Sequence, residues 1–169
     1  ILYRLVGSEM CIRDRWMDLV AGWDAHVVGD FNGDGMDEIA NFERGSHRWW
    51  IGTSTGSKFN PVTIWMDLVA GWENHLVGDF NGDGKDEIAN FESSTQKWWI
   101  GTSTGSKFNP VTVWMDLASG WDKQLVGDFN GDGKEEIANL RSSDGKWWIG
   151  TSTGTLSLIH ISEPTRRYR

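Results

Sequence analysis

Oxygen-bearing side chains recur at fixed spacing in three nearly identical segments of this 169-residue chain. They are GDFNGDGMDEIA (Gly29 to Ala40), GDFNGDGKDEIA (Gly78 to Ala89) and GDFNGDGKEEIA (Gly127 to Ala138). Calcium takes roughly six to eight hard oxygens, commonly from Asp, Asn, backbone carbonyls and an acidic residue that closes the loop. In the first segment those donors would be Asp30, Asn32, Asp34, the Met36 carbonyl and Glu38. The second offers Asp79, Asn81, Asp83, the Lys85 carbonyl and Glu87; the third offers Asp128, Asn130, Asp132, the Lys134 carbonyl and Glu136. Gly33 and Gly35 allow the backbone to bend around an ion at positive φ. Crowded carboxylates repel unless something neutralises them. No base, nucleophile or open-site histidine accompanies these loops, so the metal is expected to be structural and the chain is not expected to be an enzyme. His26 and His75 are equivalent, but Gln124 takes their place in the third copy, which argues against a repeated histidine ligand.

The loops sit inside a longer repeat. Trp16 to Ile64, Trp65 to Val113 and Trp114 to Gly154 superimpose at a period of 49, and the first two copies agree at 39 of 49 positions. The frame gives units 16–64, 65–113 and 114–155, the last ending before the SKFNPVT segment. In the first unit, β-branched and aromatic runs predict strands near His26–Phe31, Glu38–Glu43, Arg48–Thr53 and Lys58–Met66. Turns are predicted at Asn32–Asp37, Arg44–His47 and Ser54–Gly56. Four antiparallel strands in such a length make one blade of a β-propeller. The expected fold is therefore all-β, a fragment of a β-propeller with three tandem four-stranded antiparallel blades. Adjacent strand side chains point to opposite faces, so Trp49 and Trp50 suit a sheet covered on both sides. The pair recurs as Trp98, Trp99 and as Trp147, Trp148.

An EF-hand closes with Glu at the twelfth loop position, where this chain has Asn41. The acid here stands at the ninth. That spacing resembles the D-x-[DN]-x-D-G-x-x-[DE] loop of FG-GAP/VCBS repeats, the blades of integrin-α-like β-propellers. The resemblance extends over Trp16 to Gly154, through the I-A strand and the W-W-I-G-T-S-T-G-S-x-F segment. It implies a propeller with calcium clasped in a blade hairpin. Glu38, Glu87 and Glu136 depart from the family's commoner Asp. The W-D dipeptide occurs at Asp24 and Asp122 but gives way to Glu73 in the second unit, and the G-H partner of WD40 blades and the double glycine of kelch blades are absent from the sequence.

A formal charge of −8 argues against nucleic acid as partner. No run approaches the roughly eighteen apolar residues of a membrane-spanning helix. The expected setting is extracellular or cell-surface, with a protein or glycan ligand. One alternative is a lectin whose inter-blade pockets use Trp16, Trp65, Trp114, Trp23, Trp72 and Trp121; another is an accessory propeller of a large secreted enzyme. Unit-to-unit differences at Arg44–Arg48, Ser93–Lys97 and Arg141–Lys146 read as drift on an exposed hairpin.

The two ends, 1–15 and 156–169, match nothing in the repeat. Codons can be chosen for Ile1 to Arg15 whose reverse complement, shifted by one base, encodes Leu156 to Arg169 residue for residue. A DNA-level inverted repeat resembling a sequencing-library adapter accounts for this, so both tails are expected to be non-native and outside the fold. Without them the charge is −11, from 10 basic and 21 acidic side chains. Cys11, His160, Arg166, Arg167 and Arg169 then carry no functional weight. Three blades do not close a ring, so the isolated chain is expected to self-associate.

Overall fold

The computed structural model describes residues 15–20, 22–69, 72–117, 120–154 and 161–162. Among them the chain builds three antiparallel meanders in succession. The first sheet is β1 (Ala25–Gly29), β2 (Glu38–Glu43), β3 (Arg48–Gly52) and β4 (Thr63–Asp67), paired in that order. The second is β5 (Trp72–Gly78), β6 (Glu87–Glu92), β7 (Lys97–Gly101) and β8 (Thr112–Asp116). The third comprises β9 (Lys123–Gly127), β10 (Glu136–Arg141) and β11 (Lys146–Gly150), with β12 (Ile161–Ser162) on its outer edge. The opening strands β1, β5 and β9 lie nearest one another, as the inner strands of blades around an axis do.

Strand ends follow from local chemistry. β1 stops at Gly29, the last rung opposite Glu38, because Phe31 N–H turns back onto the Gly29 carbonyl at 3.0 Å and opens the acidic loop. The predicted fourth strand from Lys58 is broken: Ser54 and Phe59 form an isolated bridge, and pairing resumes only at Thr63. Pro61, which has no N–H to give a ladder, stands in the gap. β4 carries Trp65 and Met66, so the first sheet crosses the 64/65 boundary of the sequence frame. Trp16 correspondingly meets the first blade as Trp65 meets the second: Phe59 N–H donates to the Trp16 carbonyl at 3.2 Å and Phe108 N–H to the Trp65 carbonyl at 3.0 Å.

β12 departs from the expectation for the carboxyl-terminal tail. Ile161 and Ser162 pair with Gly150 and Ile149, in the position that β4 and β8 take in their blades. The edge of β11 has no SKFNPVT strand to cover it, and its bare N–H and C=O groups pair with extended backbone of any origin. The remainder of that tail, with His160, Arg166, Arg167 and Arg169, and residues 1–14 with Cys11, lie outside the described residues.

Packing is concentrated in the seams between sheets. Neighbouring tryptophans enter different seams, as strand alternation requires: Trp99 packs against the core that holds Trp49, Phe31 and Phe42, whereas Trp98 belongs to the core of Phe80, Trp114 and Ile137. In the first seam Trp49 Nε1 donates to Asn90 Oδ1 at 3.2 Å, and His75 Nδ1 lies 3.0 Å from the same oxygen. His75 also meets the Trp49 ring edge-on at 4.8 Å. In the second seam Gln124 replaces His75, and among the described residues both Trp98 Nε1 and Asn139 Oδ1 are buried without a hydrogen-bond partner.

Exposure depends on having a neighbour. Phe31 and Phe80 are 0% and 1% exposed, yet the equivalent Phe129 is 51% exposed. Trp49 and Trp98 are 0% exposed, and the equivalent Trp147 is 36% exposed. Phe80→Ala should therefore cost about 3–5 kcal/mol, while Phe129→Ala should change stability by a small fraction of that, as chemical denaturation can read. Apolar faces left in water drive association. Light scattering should show oligomers at roughly micromolar concentration, reduced by Phe129→Ser; a stable compact monomer would contradict this.

Candidate functional site

Each acidic loop joins the first two strands of a blade and is folded by its own side chains. Asp30 Oδ1 accepts from the N–H groups of Gly33 (2.7 Å) and Asp34 (3.1 Å), and Oδ2 from Gly35 (2.8 Å). Asn32 Oδ1 accepts from Asp34 N–H at 2.8 Å, and Asp34 Oδ1 from Met36 N–H at 2.9 Å. Such bonds from a carboxylate or amide to N–H groups a few residues on hold a chain in successive turns. Gly33 and Gly35 take φ of 78° and 85°, which side-chain-bearing residues rarely adopt. The second loop repeats the pattern through Asp79, Asn81 and Asp83, the third through Asp128, Asn130 and Asp132.

The ninth-position acid closes the loop from below. Glu38 is fully buried; its Oε2 accepts Asn32 N–H at 3.2 Å, and its Oε1 accepts Asn32 Nδ2 at 2.9 Å and Ser54 N–H at 3.3 Å. Glu87 and Glu136 hold the same amides, Nδ2 of Asn81 and of Asn130 at 2.9 and 2.8 Å, but take the backbone N–H one residue earlier, that of Phe80 and of Phe129 at 3.0 Å. Burial pushes the Glu87 carboxyl up to about 8, against the Ser103 N–H bond and with the charges of Asp83 and Asp79 adding to the rise. Burial raises Glu38 and Glu136 as well. The middle loop, flanked by a blade on each side, is the one least able to borrow solvation.

Each loop thus gathers its four proposed side-chain donors into one hydrogen-bonded unit, with Met36, Lys85 and Lys134 at the seventh position. Hard oxygens and excess negative charge fit calcium. The oxygens are, however, spent on loop N–H groups, and Asn32 turns its Nδ2 to both Asp34 (3.1 Å) and Glu38 (2.9 Å). Its amide must turn over before its oxygen shares a centre with theirs. Among the described residues no group of three or more His, Cys, Asp or Glu is set to hold a metal ion in this arrangement. Lys85 and Lys134 supply local counter-charge, with Nζ 3.0 Å from Asp83 and 3.4 Å from Asp132; Met36 leaves the first loop without it.

The sequence pattern passed over the eighth-position acids. Asp86 Oδ2 accepts Asp30 N–H at 2.8 Å, and Asp86 N–H donates to the Asp30 carbonyl at 2.9 Å, clasping the first loop to the second blade. Glu135 grips Asp79 in the same way at 3.1 and 2.9 Å. A Cβ at Gly29 would stand 2.6 Å from Asp86 Oδ2, and one at Gly78 would strike Glu135, so the residue before each of the first two loops must be small. Ser103 Oγ donates to the Phe31 carbonyl at 2.5 Å, and Ser152 makes the matching bond to the Phe80 carbonyl. The available signal was that the eighth position is acidic in all three units, as Asp37, Asp86 and Glu135.

The pH dependence follows from the raised carboxyls. A buried carboxyl whose folded pKa exceeds its unfolded value favours the protonated folded state. Its contribution is complete below the ordinary value of 4.5 and is lost as pH rises through about 8 for Glu87. Asp128, held low chiefly by the Gly133 N–H, acts in the opposite sense but only in more acidic solution. In chelator the melting temperature should fall between pH 5 and pH 8, both values chosen to span roughly that window, and Glu87→Gln should flatten the slope. A flat profile in the unmodified chain would refute the assignment.

A sequence model of the FG-GAP-like repeat matches residues 30–90 and 79–138, a stretch containing all three loops. Among solved structures the chain is similar to a lectin of Agrocybe aegerita, described by its specific recognition of non-reducing terminal N-acetylglucosamine. The similarity has a TM-score of 0.69 at 17% identity and covers 81% of this chain and 37% of that one. The chain therefore spans little more than a third of the lectin's length. No curated protein matches. The repeated loop, the four-stranded meanders and the match across both repeats place the chain in the FG-GAP-like repeat family.

Proposed function

We propose that these blades form a calcium-clipped propeller module for recognition or scaffolding outside the cell or at its surface, and that the chain has no catalytic role. The observation that carries this reading is a carboxylate buried three times over, as Glu38, Glu87 and Glu136, with no ion pair to a basic side chain among the described residues. A hard cation is the chemistry such a site lacks. In each loop the first, third, fifth and ninth side chains and the seventh carbonyl would hold it, stiffening the hairpin. Extracellular modules bind calcium at about 10⁻⁴ to 10⁻³ M, which suits that setting.

Titration calorimetry should find three ions per chain, and saturation at about a hundred times Kd should add about 2.7 kcal/mol of stability for each filled site. Asp79→Ala should remove one ion and leave the other loops filled. No uptake, together with melting that ignores chelator, would end the metal reading.

A second reading, glycan binding, is favoured by a groove of about 390 Å³ beside the second loop. It presents Asn81, Asp83, Thr102 and Asn109 next to the edge of Trp114, polar groups around an aromatic of the kind that orient a sugar. The lectin likeness adds N-acetylglucosamine as first probe. Binding lost in Asn109→Ala would support this reading, and a silent glycan array would remove it.

A further inference from the structure

Two tryptophans and a carboxylate enclose the same hollow in the first two blades, away from the acidic loops. In the first blade Trp23 and Trp50 meet edge to face at 6.2 Å and 70°, with Glu43 beside them around about 210 Å³. In the second, Trp72 and Trp99 meet at 5.6 Å and 86°, with Glu92 beside them around about 410 Å³. Exposed Val20 and Val69 stand at the two rims. Glu92 Oε2 accepts Trp99 Nε1 at 3.0 Å and Thr95 Oγ1 at 2.5 Å, and Glu43 accepts the Ser46 hydroxyl. Among the described residues neither carboxylate has a basic partner: Arg44, Arg48 and Lys97 pair instead with Asp24, Asp67 and Asp116.

The third blade holds the same ring pair with the charges exchanged. Trp121 and Trp148 meet at 6.1 Å and 75°, but the position of Glu43 and Glu92 is Arg141. Its guanidinium carbon stands 5.7 and 5.6 Å from the two ring centroids, within cation–π range. Asp144, in the place of Ser46 and Thr95, anchors it through Nη2 at 2.5 Å. The chain therefore shows what this ring pair accepts: in one blade its own arginine occupies the rings, and in the other two a carboxylate lines them and no cation of the described chain enters.

We infer that the hollows of the first two blades are receptor pockets for a cationic side chain, an exposed arginine or lysine of a protein ligand. The inference rests on the recognition reading but on neither calcium nor the inter-blade groove. A neutral sugar would cover each carboxylate without answering its charge, which is costly; a guanidinium meets both the carboxylate and the ring faces.

The test uses the full chain and Nα-acetyl-arginine amide, followed through the tryptophan indole resonances. Two sites should saturate with Kd on the order of millimolar, moving the indoles of Trp23, Trp50, Trp72 and Trp99. Glu43→Gln with Glu92→Gln should weaken binding roughly tenfold, and the neutral citrulline analogue should bind at least as poorly. Arg141→Glu with Asp144→Thr gives the third ring pair the carboxylate and hydroxyl of the second and should raise the sites from two to three. Equal binding of citrulline, or movement of these indoles by N-acetylglucosamine but not by the arginine probe, would overturn the inference. So would no movement at all in a chain shown to be folded by its indole dispersion. Calcium uptake is measured separately: arginine binding without it sinks the metal reading alone, and the reverse sinks this one alone.

Discussion

A reciprocal pair of hydrogen bonds between the main chain of Asp30 and the backbone and carboxylate of Asp86 joins the first blade to the second, and Asp79 with Glu135 repeats it at the next seam. The same residue whose side chain winds the loop thus has its backbone held by the following blade. Loop and seam cannot be altered separately. A change in the turn geometry at Asp30 moves the atoms that Asp86 grips, and a substitution at Asp86 frees the backbone that starts the turn. The demand for a glycine at position 29, the burial of Phe31 and the hydroxyl of Ser103 on the Phe31 carbonyl all follow from bringing these two strands so close. Cohesion of the array is built into the segment that also carries its most polar chemistry.

Much of this was legible in the sequence. The period of 49 and the alternation of β-branched and aromatic residues with turn formers gave the sheets, and the Asp-x-Asn-x-Asp-Gly spacing gave the loops, because both patterns are local. The break in the fourth strand was hidden: the run from Lys58 to Met66 reads as one strand, but Pro61 cannot give a ladder hydrogen bond and pairing resumes only at Thr63. The rest of what was hidden is not local. The eighth-position acids were hidden because their partners lie 56 positions earlier. The pairing of β12 reflects an edge that accepts extended backbone without asking for a sequence.

Arg141 is the sharpest example. Read along the chain, it is one of several differences in a hairpin that tolerates change, and drift is the natural account. In space it faces two tryptophans that come from other parts of the same blade, and the companion change to Asp144 completes a charge reversal. Two substitutions three positions apart mean little separately. Their sum turns a lined hollow into a filled one.

The two seams also differ in kind. In the first, Asn90 gathers Trp49 and His75 onto one oxygen, and burial holds the His75 ring below its usual pKa, hence neutral. In the second, Gln124 stands in for the histidine, and the indole of Trp98 and the oxygen of Asn139 are left bare, each worth about 1–3 kcal/mol in lost hydrogen bonding. Repeat arrays behave as chains of nearest-neighbour couplings, and one of these links is weaker than the other. Because that link lacks the bonds that Asn90 makes, opening of the array is expected to begin between its second and third blades.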